Sequence, residues 1–122
     1  MAIGTTTLAA ALGGKVYNDT AASNSVVAAA SGATTIYHVE FDNTANSAVT
    51  YLKFYESGSV TLGTTQPSFI LKAAASTKEY LSFPTGLSHA SALQYIATTT
   101  ASNSAGSPAA PSSACGLTIL YS

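Results

Sequence analysis

An alternation of apolar and polar residues, broken every eight to fifteen residues by turn residues, is the feature that most constrains the fold of this chain. The clearest case is the segment Thr35–Asp42. Its alternate positions hold Tyr37, Val39 and Phe41, while the intervening positions are mostly polar. Successive side chains of a β-strand point to opposite faces of the sheet. The pattern therefore predicts a strand with one buried face, formed by Tyr37, Val39 and Phe41 together with Thr35.

Similar short runs follow along the chain, separated by Gly, Pro, Asn and Ser residues. The turns between most of them are too short for parallel crossovers, and no segment has a convincing helical pattern of ten or more residues. These features predict an all-β fold with antiparallel strands, arranged as a sandwich or a barrel. The further predicted strands are Val49–Tyr55, Phe69–Leu71, Lys78–Phe83, Leu93–Thr98 and Cys115–Tyr121. Val60–Leu62 is predicted to be a short strand or a connector, and Ala101–Ser113 is a predicted loop.

The first 32 residues differ in composition from the rest of the chain. They are rich in Ala, Gly, Thr and Ser, and Tyr17 is their only aromatic residue. We interpret residues 1–32 as an extended N-terminal arm and residues 33–122 as the β-sandwich domain. Val16-Tyr17 and Val26-Val27 can each seed a short strand, and the alternative is that they complete an edge of the sandwich. The Ala-rich pieces Leu8–Leu12 and Val27–Ala30 can instead each form a turn of helix.

Composition limits the kinds of function that this chain can have. Its 122 residues suffice for one domain, and only 7% of them are charged, against roughly 25% in a typical soluble domain. Four lysines, no arginine and a net charge of −1 give no basic surface for binding nucleic acid. A polar surface built from hydroxyls and amides, with little charge to keep copies apart, suits a protein that is surrounded by copies of itself or by partners.

Targeting signals and cysteine content also point away from membranes and oxidising compartments. No run approaches the ~18 apolar residues of a membrane span, and the opening segment has no basic residues before its apolar run, so it is a poor signal peptide. Cys115 is the only cysteine, which excludes an internal disulfide. We expect synthesis in a cytoplasm.

The residues that most often carry chemistry do not form a recognisable catalytic or metal-binding pattern. His38 is expected to be an exposed strand residue, and His89, which follows Ser88, is expected to have a structural role because neighbouring strand residues point to opposite faces. Cys115 is predicted to be a small buried residue. Glu40 and Asp42 share a strand face, but no Asp/Asn-rich loop supports a calcium site. We expect no catalytic residues, no metal and no cofactor.

The tyrosines are the candidate binding residues. Tyr51 and Tyr55 lie on the face opposite Leu52 and Phe54, and Tyr80 lies opposite Leu81 and Phe83, which are expected to be core residues. Outward-facing tyrosines can be an ordinary strand surface or a partner interface, because tyrosine combines a large apolar area with a polar tip. The scarcity of charge favours the interface, and the predicted partner-contacting residues are Tyr17, Tyr51, Tyr55 and Tyr80.

The segment from Thr35 to Thr100 resembles small virion structural proteins of tailed bacteriophages. The resemblance covers a little over half of the chain, and it depends on the order of several short motifs. These are Asp42–Thr44, Tyr51–Tyr55, Gly63–Pro67, Phe83–Leu87 and Thr98–Thr100.

The resemblance implies a β-sandwich or jelly-roll module on the surface of a virion, and it implies no catalytic residues. The resemblance further implies a decoration (cement) protein, which forms oligomers, often trimers, bound to the major capsid protein. The expected function is therefore stabilisation of a capsid, with residues 1–32 as the anchor. The alternatives are a tail, neck or baseplate protein of the same virion and, in another class, a carbohydrate-binding or adhesin module that uses the tyrosines for stacking.

Overall fold

A computed structural model describes residues 3–7 and 14–122 of the chain, and these residues form nine strands in two sheets. The five-stranded sheet has the order β1-β2-β9-β4-β7 and the four-stranded sheet has the order β3-β8-β5-β6, where every pair of neighbours is antiparallel. The predicted antiparallel sandwich is therefore confirmed. The strands are β1 (Ile3–Thr7), β2 (Lys15–Ala22), β3 (Val27–Ala30), β4 (Thr34–Asp42), β5 (Thr50–Tyr55), β6 (Phe69–Ala73), β7 (Lys78–His89), β8 (Leu93–Thr98) and β9 (Cys115–Tyr121).

The hydrophobic core lies between the two sheets, and alternate residues of the central strands supply it. Cys115 is fully buried, as predicted, and so is Phe54. Leu81 and Phe83 are half-buried and pack against the core from the edge strand β7. The fully or almost fully buried large side chains include Ile36, Val39, Phe41, Leu52, Phe54, Leu93, Tyr95, Leu117 and Ile119.

The interpretation of residues 1–32 as an arm outside the sandwich is wrong for the two strands β2 and β3. β2 pairs with β1 on one side and with β9 on the other, and β3 pairs with β8. Tyr17, Ala22 and Val27 belong to the hydrophobic core. The alternative, that these segments are strands of the sandwich, is correct, because Val16-Tyr17 lies in β2 and Val27 lies in β3. Residues 1–2 and 8–13, where a turn of helix was one interpretation of Leu8–Leu12, lie outside the described residues.

Of the two alternatives for Val60–Leu62, a short strand or a connector, the structure shows the connector. This segment belongs to the connection between β5 and β6, where the backbone N–H groups of Thr64 and Thr65 donate to the carbonyl of Thr61 at 3.1 and 2.8 Å. These local hydrogen bonds form a turn, which satisfies the backbone without a partner strand.

The buried face of β4 changes partway along the strand because of a β-bulge. The pairing register with β7 and with β9 shifts between Ile36 and His38. Ile36 is consequently buried and Tyr37 is half-buried, whereas a regular alternation predicts the reverse. A single unpaired residue moves the following side chains to the other phase.

Among the described residues, no helix is long and apolar enough to cross a membrane.

Candidate partner-binding surface

The structure separates the four tyrosines that were predicted to contact a partner. The side chains of Tyr17 and Tyr55 are buried, with 2% and 3% of their surface exposed, so neither can present its ring to a partner. Tyr51 is half-buried, and Tyr80 is 57% exposed. The prediction is therefore wrong for Tyr17 and Tyr55, and Tyr80 is the member of the set with a largely open side chain.

Tyr17 is buried because β2 lies between two strands and directs this side chain into the core. Its hydroxyl lies 2.8 Å from the hydroxyl of Tyr95 on β8, and the Tyr95 hydroxyl donates to Oδ2 of Asp19 at 2.5 Å. Burial raises the pKa of both tyrosines. Since Asp19 is itself fully buried, these three residues form a polar chain that links the two sheets across the core. The sequence carried no signal for this chain, because Asp19 and Tyr95 are 76 residues apart.

Tyr55 is buried because a loop covers the outer face of the four-stranded sheet. Lys53, on the same face of β5, is only 1% exposed, and its ammonium donates to the carbonyls of Ala101 and Ser102 at 3.2 and 2.7 Å. Burial lowers the pKa of Lys53. The low-complexity loop Ala101–Ser113 is thus anchored over this face, and the face opposite the core is not open to a partner at Lys53 and Tyr55.

Tyr80 lies on the outer face of the five-stranded sheet, on the edge strand β7. Its ring and the imidazole of His38 have centroids 6.1 Å apart and planes within 28° of parallel. His38 is half-buried, and its Nδ1 lies 2.8 Å from the hydroxyl oxygen of Ser82, which is opposite it in the β4–β7 register. This hydrogen bond fixes the orientation of the imidazole, so the two rings form a small, ordered aromatic surface.

The charges next to these rings are paired with each other. Nζ of Lys78 lies 3.3 Å from Oε1 of Glu40 and 3.8 Å from Oδ2 of Asp42. A hydrogen bond from the Thr44 hydroxyl lowers the pKa of Asp42, and the hydrogen bond to Glu40 raises the pKa of Lys78. We refer to the outward-facing group His38, Glu40, Lys78, Tyr80 and Ser82 as the Tyr80 surface. It combines an exposed aromatic ring with an ion pair, and aromatic side chains are enriched at protein interfaces.

The structure brings together a Ser–His pair that sequence reasoning missed. The partner of His89 is Ser68, whose hydroxyl oxygen lies 2.8 Å from Nε2, and the neighbour Ser88 is not involved. His89 is 2% exposed, burial lowers its pKa, and its buried Nδ1 has no hydrogen-bond partner in the described part of the chain. A catalytic dyad needs its imidazolium to be stabilised when it accepts a proton. Burial favours the neutral form of the imidazole. The hydrogen bond connects Ser68, the residue before β6, to His89, the last residue of β7.

The other reactive groups are enclosed. Burial raises the pKa of the Cys115 thiol to about 11, so the thiol is protonated at neutral pH. Residues 3–7 and 14–122 contain no group of three or more His, Cys, Asp or Glu side chains that is placed to hold a metal ion. The pair Glu40 and Asp42, which was considered as a weak cation site, is occupied by the ammonium of Lys78.

Comparisons of the chain with models of protein families, with curated proteins and with solved structures find no match.

Proposed function

We propose that this protein is a decoration (cement) protein of a tailed-bacteriophage capsid, and that it binds the major capsid protein through the Tyr80 surface. The observation that supports this proposal most strongly is the 57% exposure of Tyr80 beside His38, on the outer face of the five-stranded sheet and next to the Lys78–Glu40 ion pair. A tyrosine in this position supplies a rigid, amphipathic anchor of the kind that dominates protein interfaces. The order of motifs between Thr35 and Thr100 supplies the virion context.

The proposed mechanism is mechanical and requires neither a cofactor nor a reaction. Each copy contacts neighbouring capsid subunits, and many weak contacts on a symmetric lattice resist separation together. We further propose that the protein is made in the host cytoplasm, that it acts as a homo-oligomer at the capsid surface, and that it contacts neither nucleic acid nor membrane. A tail, neck or baseplate location in the same virion is the nearest alternative.

The same surface also supports a second candidate function, binding of carbohydrate. An exposed tyrosine ring with a carboxylate at its side, here Tyr80 and Glu40, is an arrangement that can stack on a sugar and accept its hydroxyl groups. A glycan array that shows selective binding by the wild-type chain, lost in Tyr80→Ala, would favour this function over capsid decoration.

The test of the virion proposal is mass spectrometry of intact particles, with the copy number of this chain measured relative to the major capsid protein. A decoration protein gives a high, fixed ratio to the capsid protein, whereas a tail or neck protein gives only a few copies per particle. If the chain is missing from purified particles, the proposed function is wrong.

The role of the Tyr80 surface is tested separately, by binding to particles that lack the chain. We expect Tyr80→Ala to weaken binding by at least tenfold, because truncating an interface anchor costs about 2 kcal/mol or more. Ile70→Ala is the matched control, since Ile70 is also exposed, at 39%, but lies on β6 of the other sheet. Equal binding by wild type and Tyr80→Ala would show that a different surface contacts the capsid.

A further inference from the structure

The four edges of the two sheets differ in how well they are protected against pairing with another strand. The edge strands are β1 and β7 in one sheet and β3 and β6 in the other. Folded proteins usually block such edges with charged residues, proline, bulges or very short strands. β7 carries Lys78, Pro84 and a register shift, β6 carries Lys72, and β3 is four residues long with a register shift.

β1 is the least protected of these four edges. Its sequence, Ile-Gly-Thr-Thr-Thr, contains no charged residue and no proline, and its pairing with β2 is regular over all five residues. Ile3 is 49% exposed. Within the described part of the chain, β1 pairs with β2 on one side and with no strand on the other. It is therefore an open template for backbone hydrogen bonds.

We propose that β1 pairs with β1 of a second copy of this chain, antiparallel and related by a twofold axis. The pairing is self-complementary, because an antiparallel arrangement centred on Thr5 places each residue of Ile3–Thr7 opposite a residue of the same uncharged segment. Electrostatic repulsion between the copies is small, since each chain has a net charge of −1. The pairing does not depend on the proposed capsid function.

The consequence is a two-copy unit with two partner-binding surfaces. β1 and β7 are opposite edges of the same sheet, so pairing at β1 leaves the Tyr80 surface free. The twofold axis of antiparallel edge pairing is perpendicular to the sheet, which places the outer faces of both copies on the same side. At about 4.8 Å per strand, the two Tyr80 surfaces are separated by roughly 40 Å along one continuous sheet. Such a unit can bridge two sites on one partner lattice.

The first measurement is sedimentation of the full-length chain over a concentration range up to about 0.5 mM, because a five-residue strand buries less area than a standard interface. We expect a concentration-dependent species of twice the 12.2-kDa chain mass. A chain that stays monomeric over the whole range overturns the proposal.

Charge substitutions at the centre of β1 then identify the contact. Thr5 is opposite Thr5 of the second copy in this register, so Thr5→Lys and Thr5→Glu each introduce like charges at paired positions, and we expect each variant to associate at least tenfold more weakly than wild type. An equimolar mixture of the two variants should regain pairing as a mixed dimer. Ser59→Lys, in an exposed loop, adds the same charge away from every edge and should behave like wild type.

A measurement on the unmodified chain covers the case in which the β1 variants fold poorly. Hydrogen exchange of the amides of residues 3–7 should slow as protein concentration rises, while amides of the β7 edge should exchange at a constant rate. Exchange at β1 that does not depend on concentration, or association that is the same in wild type and Thr5→Lys, would show that the copies meet elsewhere. A species of three chains that forms equally in wild type and in Thr5→Lys would likewise show that the copies meet at another surface.

Discussion

At the scale of single residues, the polar groups buried in this protein are the positions where local sequence is least informative. Asp19, Lys53 and His89 are each at most 2% exposed, and each is held by partners that are distant in sequence. A buried polar group contributes favourably only while its hydrogen bonds are made, and an orphaned partner costs the full desolvation penalty. The effect of each of these residues on stability therefore depends on whether its hydrogen-bond partners are in place.

The hydroxyl of Tyr95 is the central link of the polar chain across the core. Tyr95→Phe removes the donor to Oδ2 of Asp19 and the acceptor for the Tyr17 hydroxyl, leaving these two oxygen atoms without their buried hydrogen bonds. We therefore expect the free energy of unfolding to fall by about 1–3 kcal/mol, measured by urea denaturation. Tyr80→Phe is the control, because that hydroxyl is on an exposed side chain and should change the stability by less than about 0.5 kcal/mol. Equal stability of the two variants would contradict the assigned role of Tyr95.

His89 makes the stability depend on pH in a predictable direction. Burial lowers the pKa of the folded-state imidazole below its ordinary value of 6.5, so the unfolded chain binds the proton more readily. The free energy of unfolding should therefore be constant above that value and decrease as the pH falls below it towards the folded-state pKa. Thermal melts from pH 7.5 to pH 5 measure the effect, and His89→Asn should flatten the profile over this range. An unchanged slope in the variant would mean that another group is responsible.

At the scale of secondary-structure elements, the β4–β7 pair shows how one irregularity positions the Tyr80 surface. Between the pairs Ile36–Leu87 and His38–Ser82, β4 contributes one residue and β7 contributes four. Gly86 lies in this bulge with a φ of +82°, where an added Cβ would collide with Cγ2 of Thr35. The bulge brings His38 to the outer face next to Tyr80, so the surface depends on the conformation of this segment.

Gly86→Ala tests the requirement of the bulge for glycine. The variant combines an unfavourable φ with a steric contact, so we expect it to lower the free energy of unfolding by about 1–3 kcal/mol. Gly32→Ala is the matched control, because no atom lies within 4 Å of the position of its Cβ. Chemical denaturation of both variants gives the comparison, and a neutral effect of Gly86→Ala would argue that the bulge tolerates a side chain.

At the scale of the whole molecule, the five-stranded sheet separates the two surfaces to which we assign contacts. The Tyr80 surface lies at the β4–β7 side of the sheet and the open β1 edge lies at the other, with β2 and β9 between them. The four-stranded sheet closes the core from the opposite side, and its outer face is covered at Lys53 by the Ala101–Ser113 loop. The arrangement places the proposed capsid contact and the proposed self-association at separate positions on one sheet.

The position of β2 within the sheet also predicts the effect of truncation. A chain that starts at Ala33 lacks β2, whose Tyr17 and Ala22 belong to the core, so we expect it to lose cooperative unfolding in a thermal melt followed by circular dichroism. A chain that starts at Gly14 loses only the edge strand β1 and the segment before β2, and it should still melt cooperatively. A cooperative transition in the Ala33 variant would show that β2 is dispensable.

The sequence by itself determined the fold class and most of the strands that have a strong local pattern. The segments around Phe54, Leu93 and Cys115 are short apolar runs bounded by turn residues, and a period-two pattern of this kind has few structural solutions. The same reasoning could not assign residues 15–30, because their small and polar side chains, among them Asp19, are stabilised by β9 and β8, which lie about 65 to 105 residues further along the chain. Strand pairing between such distant segments leaves no local signal.

The tertiary structure alone decided which residues are accessible, and therefore which residues form the candidate site. Alternation assigns a residue to one face of its strand, but it does not show what covers that face. Tyr55 and Tyr80 were equivalent by this criterion, and they differ because a remote loop covers the first while the face around the second stays open. Likewise, the bulge next to Tyr37 and the pair of Ser68 with His89 depend on neighbours brought together by folding. Burial is a property of the assembled sheets and loops, so a single strand's sequence specifies a face but not its environment.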